Sequence, residues 1–298
     1  MIRWILALSG LIVFGCAPAK TTSEAADSGS SVAFTLSFAP TDPVPPGADA
    51  TQCLTIGPSP DHDIWVGGWE VTKHTLHHVN LWLRSAADPY FRTITPSAAS
   101  CLSTSPGGTV IFSDSFAGES WRQRMPDGDA MLIPAGSTFN IDAHHQNLSE
   151  KPEIQSVEIA FYETPPPERE VHSWTVLWAP SPALDLYPNS TKTVSFKATV
   201  PVDSSLISIY GHAHSRLTRE TMSLDGAAVY DTNNWTDPGI VYPVGMRVGP
   251  TTKLIWSCSY ENTGSTTVQW GASVTTNEMC AMEGLAEGPY WLVTGTVE

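Results

Sequence analysis

The sequence predicts an all-β protein arranged as two tandem antiparallel β-sandwich (jelly-roll-like) domains. Three observations carry this expectation. Runs that alternate apolar with small polar residues recur along the chain, the period of two expected of strands with one buried face. No stretch has the three-to-four-residue periodicity of an amphipathic helix. A proline run, Pro165-Pro166-Pro167, divides the chain into two halves of the same style. Many short strands separated by turn residues favour a sandwich over other all-β layouts.

Charged residues make up 15% of the 298 and hydrophobic ones 41%, a globular rather than a disordered balance. The formal net charge of −15 argues against nucleic acid and anionic membrane surfaces as partners. The sequence has neither a Gly-rich phosphate loop nor a dinucleotide-binding fingerprint.

The N-terminus reads as a targeting segment over residues 1–15. Arg3 supplies the positive start, and residues 4–14 form an apolar core too short for a stable membrane span. It ends in Val13-Phe14-Gly15-Cys16, which resembles a bacterial lipobox. Cleavage there would leave Cys16 as a lipidated first residue, attached to a membrane by its acyl chains alone. Ala17 follows, where an aspartate would point to inner-membrane retention. The expected location is therefore the bacterial cell envelope, at the outer membrane or cell surface. Residues 16–30 are small and polar and read as a flexible tether.

The first sandwich is expected over 31–164. Its strand candidates are residues 32–38, 63–71, 74–83, 130–137, 139–147 and 157–162. The prolines cannot sit in a central strand and extend as polyproline II, so 165–170 is taken as the linker. The second sandwich is expected over 171–298, with candidates at 192–200, 206–214, 221–224, 253–260 and 268–274. Trp174 and Trp178, just after the linker, are placed at the domain interface. With Cys16 set aside, Cys53, Cys101, Cys258 and Cys280 allow three pairings. Early with early and late with late is the simplest, and either bond needs an oxidising compartment.

The histidines are grouped. Tyr210-Gly211-His212-Ala213-His214 follows a β-prone run, and on a strand residues two apart share a face. His212 and His214 would thus present two imidazoles as a chelate. Met279, in Glu278-Met279-Cys280, adds a thioether, and two nitrogens with a sulfur suit copper, above all Cu(I). His77 and His78 are adjacent, as are His144 and His145. Neighbours on a regular strand face opposite ways, so joint use of His77 and His78 requires a bulge or twist. His62, His74, His145 and His172 have no assignable partner and are read as structural or surface residues.

Taken in order, these segments resemble the copper type II, ascorbate-dependent monooxygenases, which include peptidylglycine α-hydroxylating monooxygenase and dopamine β-monooxygenase. The likeness spans nearly the whole mature chain. His77-His78 before an apolar strand is similar to that family's double histidine, and Ala143-His144-His145 to its third ligand segment. Gly211-His212-Ala213-His214 is similar to its HxH pair, and Glu278-Met279-Cys280 to its methionine ligand followed by a disulfide cysteine, with Cys258-Ser259-Tyr260 supplying the partner. The resemblance implies one copper held by His77, His78 and His144, which stores electrons. It implies a second, held by His212, His214 and Met279, which meets dioxygen. It further implies ascorbate or a similar reductant, a small-molecule substrate hydroxylated at a C–H bond, and a solvent cleft between the domains faced by both coppers.

The chain departs from the family in places. Peptide-amidating members have an arginine where Tyr210 stands, and an asparagine and a tyrosine where Ala281 and Glu283 stand. Those groups grip a substrate carboxylate, so a peptide C-terminus is not the expected substrate, and Tyr210 and Glu283 become candidates for contact with a different one. A family glutamine is replaced by Asp142, which shares a strand face with His144 and is expected to accept a hydrogen bond from its imidazole. The competing expectation is a non-catalytic copper-binding lipoprotein for storage or sensing. A zinc hydrolase would need a general base beside the metal, and none stands out.

Overall fold

The computed structural model describes residues 31–297 except 41, 58–59, 86–108, 115–120, 178–183, 238, 272, 274 and 290. The targeting segment, the tether with its lipidation candidate Cys16, and Cys101 and Trp178 lie outside the described residues. The described chain is all-β, as the alternating patterns predict, and contains no α-helix.

The first half supplies β1 (Val32–Phe38), β2 (Asp49–Ile56), β3 (Ile64–His74), β4 (His78–Arg84), β5 (Thr109–Asp114), β6 (Trp121–Arg124), β7 (Asp129–Ile133), β8 (Thr138–Gln146) and β9 (Val157–Glu163). The second supplies β10 (Arg169–Leu177), β11 (Ser190–Thr199), β12 (Ser204–His212), β13 (Leu217–Leu224), β14 (Ala227–Thr232), β15 (Ile240–Val248) and β16 (Lys253–Asn262). It continues through β17 (Gln269–Trp270), β18 (Asn277–Glu278), β19 (Ala281–Glu287), β20 (Trp291–Thr294) and β21 (Thr296–Val297).

A ten-stranded sheet runs through both halves in the order β1-β9-β3-β7-β10-β19-β12-β15, with β6 beside β3 and β20 beside β10. In the first half a four-stranded sheet, β2-β8-β4-β5, contributes Ile56, Val79, Leu81, Phe139 and Ile141 to a core shared with Leu36, Val66, Trp69 and Phe161 of the long sheet. In the second half a five-stranded sheet, β14-β13-β16-β11-β21, contributes Phe196, Met222 and Trp256 to a separate core with Trp174, Leu206 and Met282.

The division between the halves is less complete than the proline run implies. β10 starts at Arg169, inside the expected linker, and pairs in parallel with β7 through Arg169↔Asp129 and Glu170↔Ala130. The Arg169 guanidinium holds this seam, with Nε 2.6 Å from Asp129 Oδ1 and 3.2 Å from Glu287 Oε1. Val171, Ile207 and Leu285 of the second half join the first-half core. Trp174, expected at the interface, is instead in the second-half core, stacked on Trp291 at 5.1 Å with its indole N–H donating to the Ser208 carbonyl. The long strand expected over 268–274 reduces to the short β17 and a bridge at Val268.

The face assignment in the second half is what positions the candidate site. Ile209, Ala213, Cys280 and Met282 belong to the second-half core. Their alternate neighbours Tyr210, His212 and Ala281 therefore project from the opposite face, toward the first half, as Leu285 does from the same strand.

Cys258 and Cys280 form a disulfide across the second-half core, 22 residues apart in sequence. Cys53 is also disulfide-bonded, and its expected partner Cys101 is outside the described residues. A loop of this length is worth roughly 3 kcal/mol in the chain-entropy account. Cys258→Ser/Cys280→Ser is expected to lower unfolding stability by about that amount, read from denaturant midpoints under conditions that leave the other bond oxidised.

Candidate metal centre

In the first half, His77 lies in the turn just before β4, which His78 opens. This resolves the facing problem of two adjacent histidines: His77 is outside the ladder, so strand alternation does not bind it. Its backbone N–H donates to the His144 carbonyl at 2.9 Å, while His78 pairs with His144 across β4–β8. The His77 and His144 rings meet edge-on with centroids 5.4 Å apart. The His78 backbone is thus in register with both; its side chain is outside the described residues. His145 points to the opposite side, packed on Phe38 at 5.7 Å, in keeping with a structural role.

In the second half, β12 ends at His212 and pairs with β19 through Tyr210↔Glu283, Gly211↔Met282 and His212↔Ala281. His214 follows in the turn, its ring centroid 6.1 Å from that of His212. The turn is tied to the Met279 segment by the buried Glu278 side chain. Glu278 Oε2 accepts the His214 backbone N–H at 3.0 Å, and Oε1 accepts that of Arg216 at 2.9 Å. Met279 is fixed from both sides as well. Tyr260 Oη donates to its carbonyl at 2.5 Å, and the next residue, Cys280, carries the disulfide. The Met279 side chain is half-buried. Met279 and Cys280 precede β19, outside the ladder, and Met279 is not among the residues of the second-half core that holds Cys280 and Met282; His212 projects from the opposite face of that sheet. Tyr210 and Glu283, the substrate-contact candidates, are buried opposite each other on this same face.

The residues able to hold a metal are thus His77, His144 and, by backbone position, His78 in one set, and His212, His214 and Met279 in the other. Burial favours the neutral form of the His144, His212 and His214 imidazoles, which is the form that binds a metal. It pushes His212 down to about 4 and His214 down to about 3, and it lowers His144 despite the opposing effect of Asp49. Hydrogen bonds fix which nitrogen is presented. His214 Nδ1 donates to the Asn277 carbonyl at 3.0 Å, leaving Nε2 as the acceptor nitrogen of its ring. His144 Nε2 lies 2.5 Å from Asp49 Oδ1, leaving Nδ1 as the acceptor nitrogen there.

Asp49 is a residue that sequence reading missed. Asp142 was the expected carboxylate partner of His144, from its place two residues earlier on β8. A carboxylate at hydrogen-bond distance of the ring is that of Asp49, from the neighbouring β2, diagonal to His144 across a ladder in which Thr51 stands directly opposite. Nothing local to Asp49 signals this; only the β2–β8 register does. Burial alone would raise the Asp49 carboxyl, but hydrogen bonds from Thr275, His144 and Ser273 outweigh it and hold the group at about 2.

The described histidines of the two sets are buried. His77, His144, His212 and His214 are between 0% and 8% exposed. Trp235, from the second half, stacks on His77 at 5.3 Å. His144 lies near enough to His212 and His214, and His77 to His214, for a proton on one to disfavour a proton on another. Behind the HxH turn sits the buried Glu220, whose carboxyl burial raises well above its usual range and which accepts a hydrogen bond from the His212 backbone. Among the described residues, Glu220, Cys258 and Cys280 form a group of donor atoms close enough to suggest a metal. The two sulfurs are joined in a disulfide, however, and offer no thiolate. No protein-family model and no curated protein matches the chain.

Two outcomes follow. A Cβ at Gly211 would lie 2.0 Å from Glu220 Oε2. Gly211→Ala is therefore expected to cost about 1–3 kcal/mol by overpacking and to weaken metal uptake at the HxH turn, read by thermal melting and metal titration. For pH, the unfolded chain protonates His212 and His214 near 6.5, whereas the folded chain resists until about 4 and 3. Below pH 6.5 the unfolded state thus binds more protons, and the stability contribution of the two neutral rings is lost as pH falls through 6.5 toward 3. The metal-free protein should lose melting temperature over that range more steeply than His212→Gln/His214→Gln.

Proposed function

We propose that this chain is a copper-dependent monooxygenase that hydroxylates a C–H bond of a small organic substrate, using dioxygen and an ascorbate-like reductant. The observation that carries the reading is the junction of the HxH turn with the methionine segment. Glu278 hydrogen-bonds the His214 backbone, and the residue after it is Met279. In this reading two imidazoles and a thioether from segments more than sixty residues apart form a soft donor set. Such a set suits copper better than zinc, magnesium or calcium. The second set is all imidazole, and in both the buried rings are held neutral, as a metal requires.

Bound copper would supply one-electron redox chemistry and the activation of dioxygen. The chain's own residues do the rest. His214, locked through Nδ1 to the Asn277 carbonyl, presents Nε2 in a fixed direction. His144, locked through Nε2 to Asp49, presents Nδ1. The buried rings, with Trp235 over His77, keep bulk water from the reaction zone. Tyr210 and Glu283, on the His212 face, are the groups a substrate meets; with Tyr210 where the resembled family has an arginine, and Glu283 adding an acidic group, the substrate is not an anionic peptide terminus. In this reading Cys16 carries the lipid that holds the enzyme at the cell envelope.

One observation favours the alternative of a non-catalytic copper-binding lipoprotein: with the four candidate ligands His77, His144, His212 and His214 buried, the arrangement has the closed character of a storage site. Elemental analysis separates metal-binding from non-binding chains. Two coppers are expected per molecule, with Met279→Ala and His144→Ala each weakening chiefly its own site. Ascorbate-driven oxygen uptake separates the two functions. Uptake matched by a hydroxylated product supports the oxygenase, and uptake that yields only peroxide across a broad substrate panel supports storage or sensing.

A further inference from the structure

We propose that Asp49 is a positioning residue that couples the two ligand sets, one carboxylate oxygen orienting the His144 ring while the other holds the turn leading to Met279. The inference rests on the copper reading for its purpose, and on hydrogen-bond geometry for its substance.

Asp49 opens β2 in the first half, and its carboxylate reaches into the second. Oδ1 takes the His144 ring N–H at 2.5 Å. Oδ2 accepts from Ser273 Oγ at 2.7 Å, from the Thr275 backbone N–H at 3.3 Å, and from the Thr275 hydroxyl. The turn that receives these bonds is internally tied. Asn277 N–H donates to the Ser273 carbonyl at 2.8 Å, and Thr276 Oγ1 donates to Ser273 Oγ at 2.9 Å. Asn277 then returns the connection to the other set, its carbonyl accepting from His214 Nδ1 at 3.0 Å. The path His144–Asp49–Ser273–Asn277–His214 is thus hydrogen-bonded at every step, and Met279 lies two residues beyond its last turn residue. A carboxylate is suited to the central place because its two oxygens can accept from opposite sides at once, and bonds to an ionised group are stronger than neutral ones. Contiguity alone does not establish coupling; the path makes a specific demand, that a change on either side of Asp49 is read on the other.

The metal-free full chain tests this directly. In Asp49→Ala, amide hydrogen exchange across residues 273–279 is expected to quicken by about tenfold or more, the scale of losing a hydrogen bond to a charged group. Asp49→Asn, which keeps the shape and one acceptor, should give a smaller effect and guards against a fold lost in the alanine variant. In the reverse direction, Ser273→Ala/Thr275→Val changes only the second half, yet the ¹⁵N imidazole shifts of His144 at fixed neutral pH should move. With one Cu(II) bound in a His212→Ala/His214→Ala background, the same double change should alter the copper hyperfine splitting in electron paramagnetic resonance. Unaltered exchange in both Asp49 variants, or His144 shifts that ignore the Ser273/Thr275 change, would overturn the coupling. A chain that binds no copper yet shows both metal-free effects would instead overturn the oxygenase reading and leave the Asp49 link standing.

Discussion

The arrangement of the second-half set hangs on one buried carboxyl. Glu278 has no solvent exposure and spends both oxygens on backbone N–H groups of the turn that carries His214. Burial pushes this group up to about 7, with the N–H bonds and Arg216 opposing the rise. Burying a polar group without partners is costly, and satisfying it with backbone donors specifies a single geometry. The immediate consequence is that the HxH turn and the Met279 segment cannot drift apart without stranding Glu278 in the interior.

Several other contacts reinforce the same junction from outside it. The Cys258–Cys280 bond ties the residue after Met279 to β16 of the facing sheet, and Tyr260, two residues along that strand, donates to the Met279 carbonyl. Gly211 lets the strand come down on Glu220 with no side chain between. The site is therefore built on strand ends and a cross-linked segment rather than on a long loop. A centre that needs fixed donor directions benefits from supports of this kind.

The continuous long sheet gives the two halves a fixed relation near the site. Arg169 pins the β7–β10 seam to Asp129 and Glu287, and Val171, Ile207 and Leu285 carry the first-half core across it. Trp235 over His77 and Asp49 on the 273–276 turn close the same boundary at the ligands. In the proposed oxygenase reading, substrate has to pass these contacts. They, rather than the proline run, are the elements whose opening would matter for turnover.

The sequence by itself determined the all-β class, the strands that bear the histidines, and the late cysteine pair. Alternation of apolar and polar residues is a local signal, and so is the i, i+2 spacing of His212 and His214. It did not reveal β10 or β19 as strands. Both lie centrally in the long sheet, and six of the seven residues of β19 and the 173–176 stretch of β10 are buried, which erases the alternation that marks a strand with one wet face. Nor could it find Asp49, whose nearest partners are 95 and more than 220 residues away. That Asp49 meets His144, that His77 escapes the strand ladder, and that His77 and His144 adjoin His212 and His214 among buried residues were decided by strand register and by the packing of one half on the other. Those relations join residues far apart in the chain, and no spacing along it encodes them.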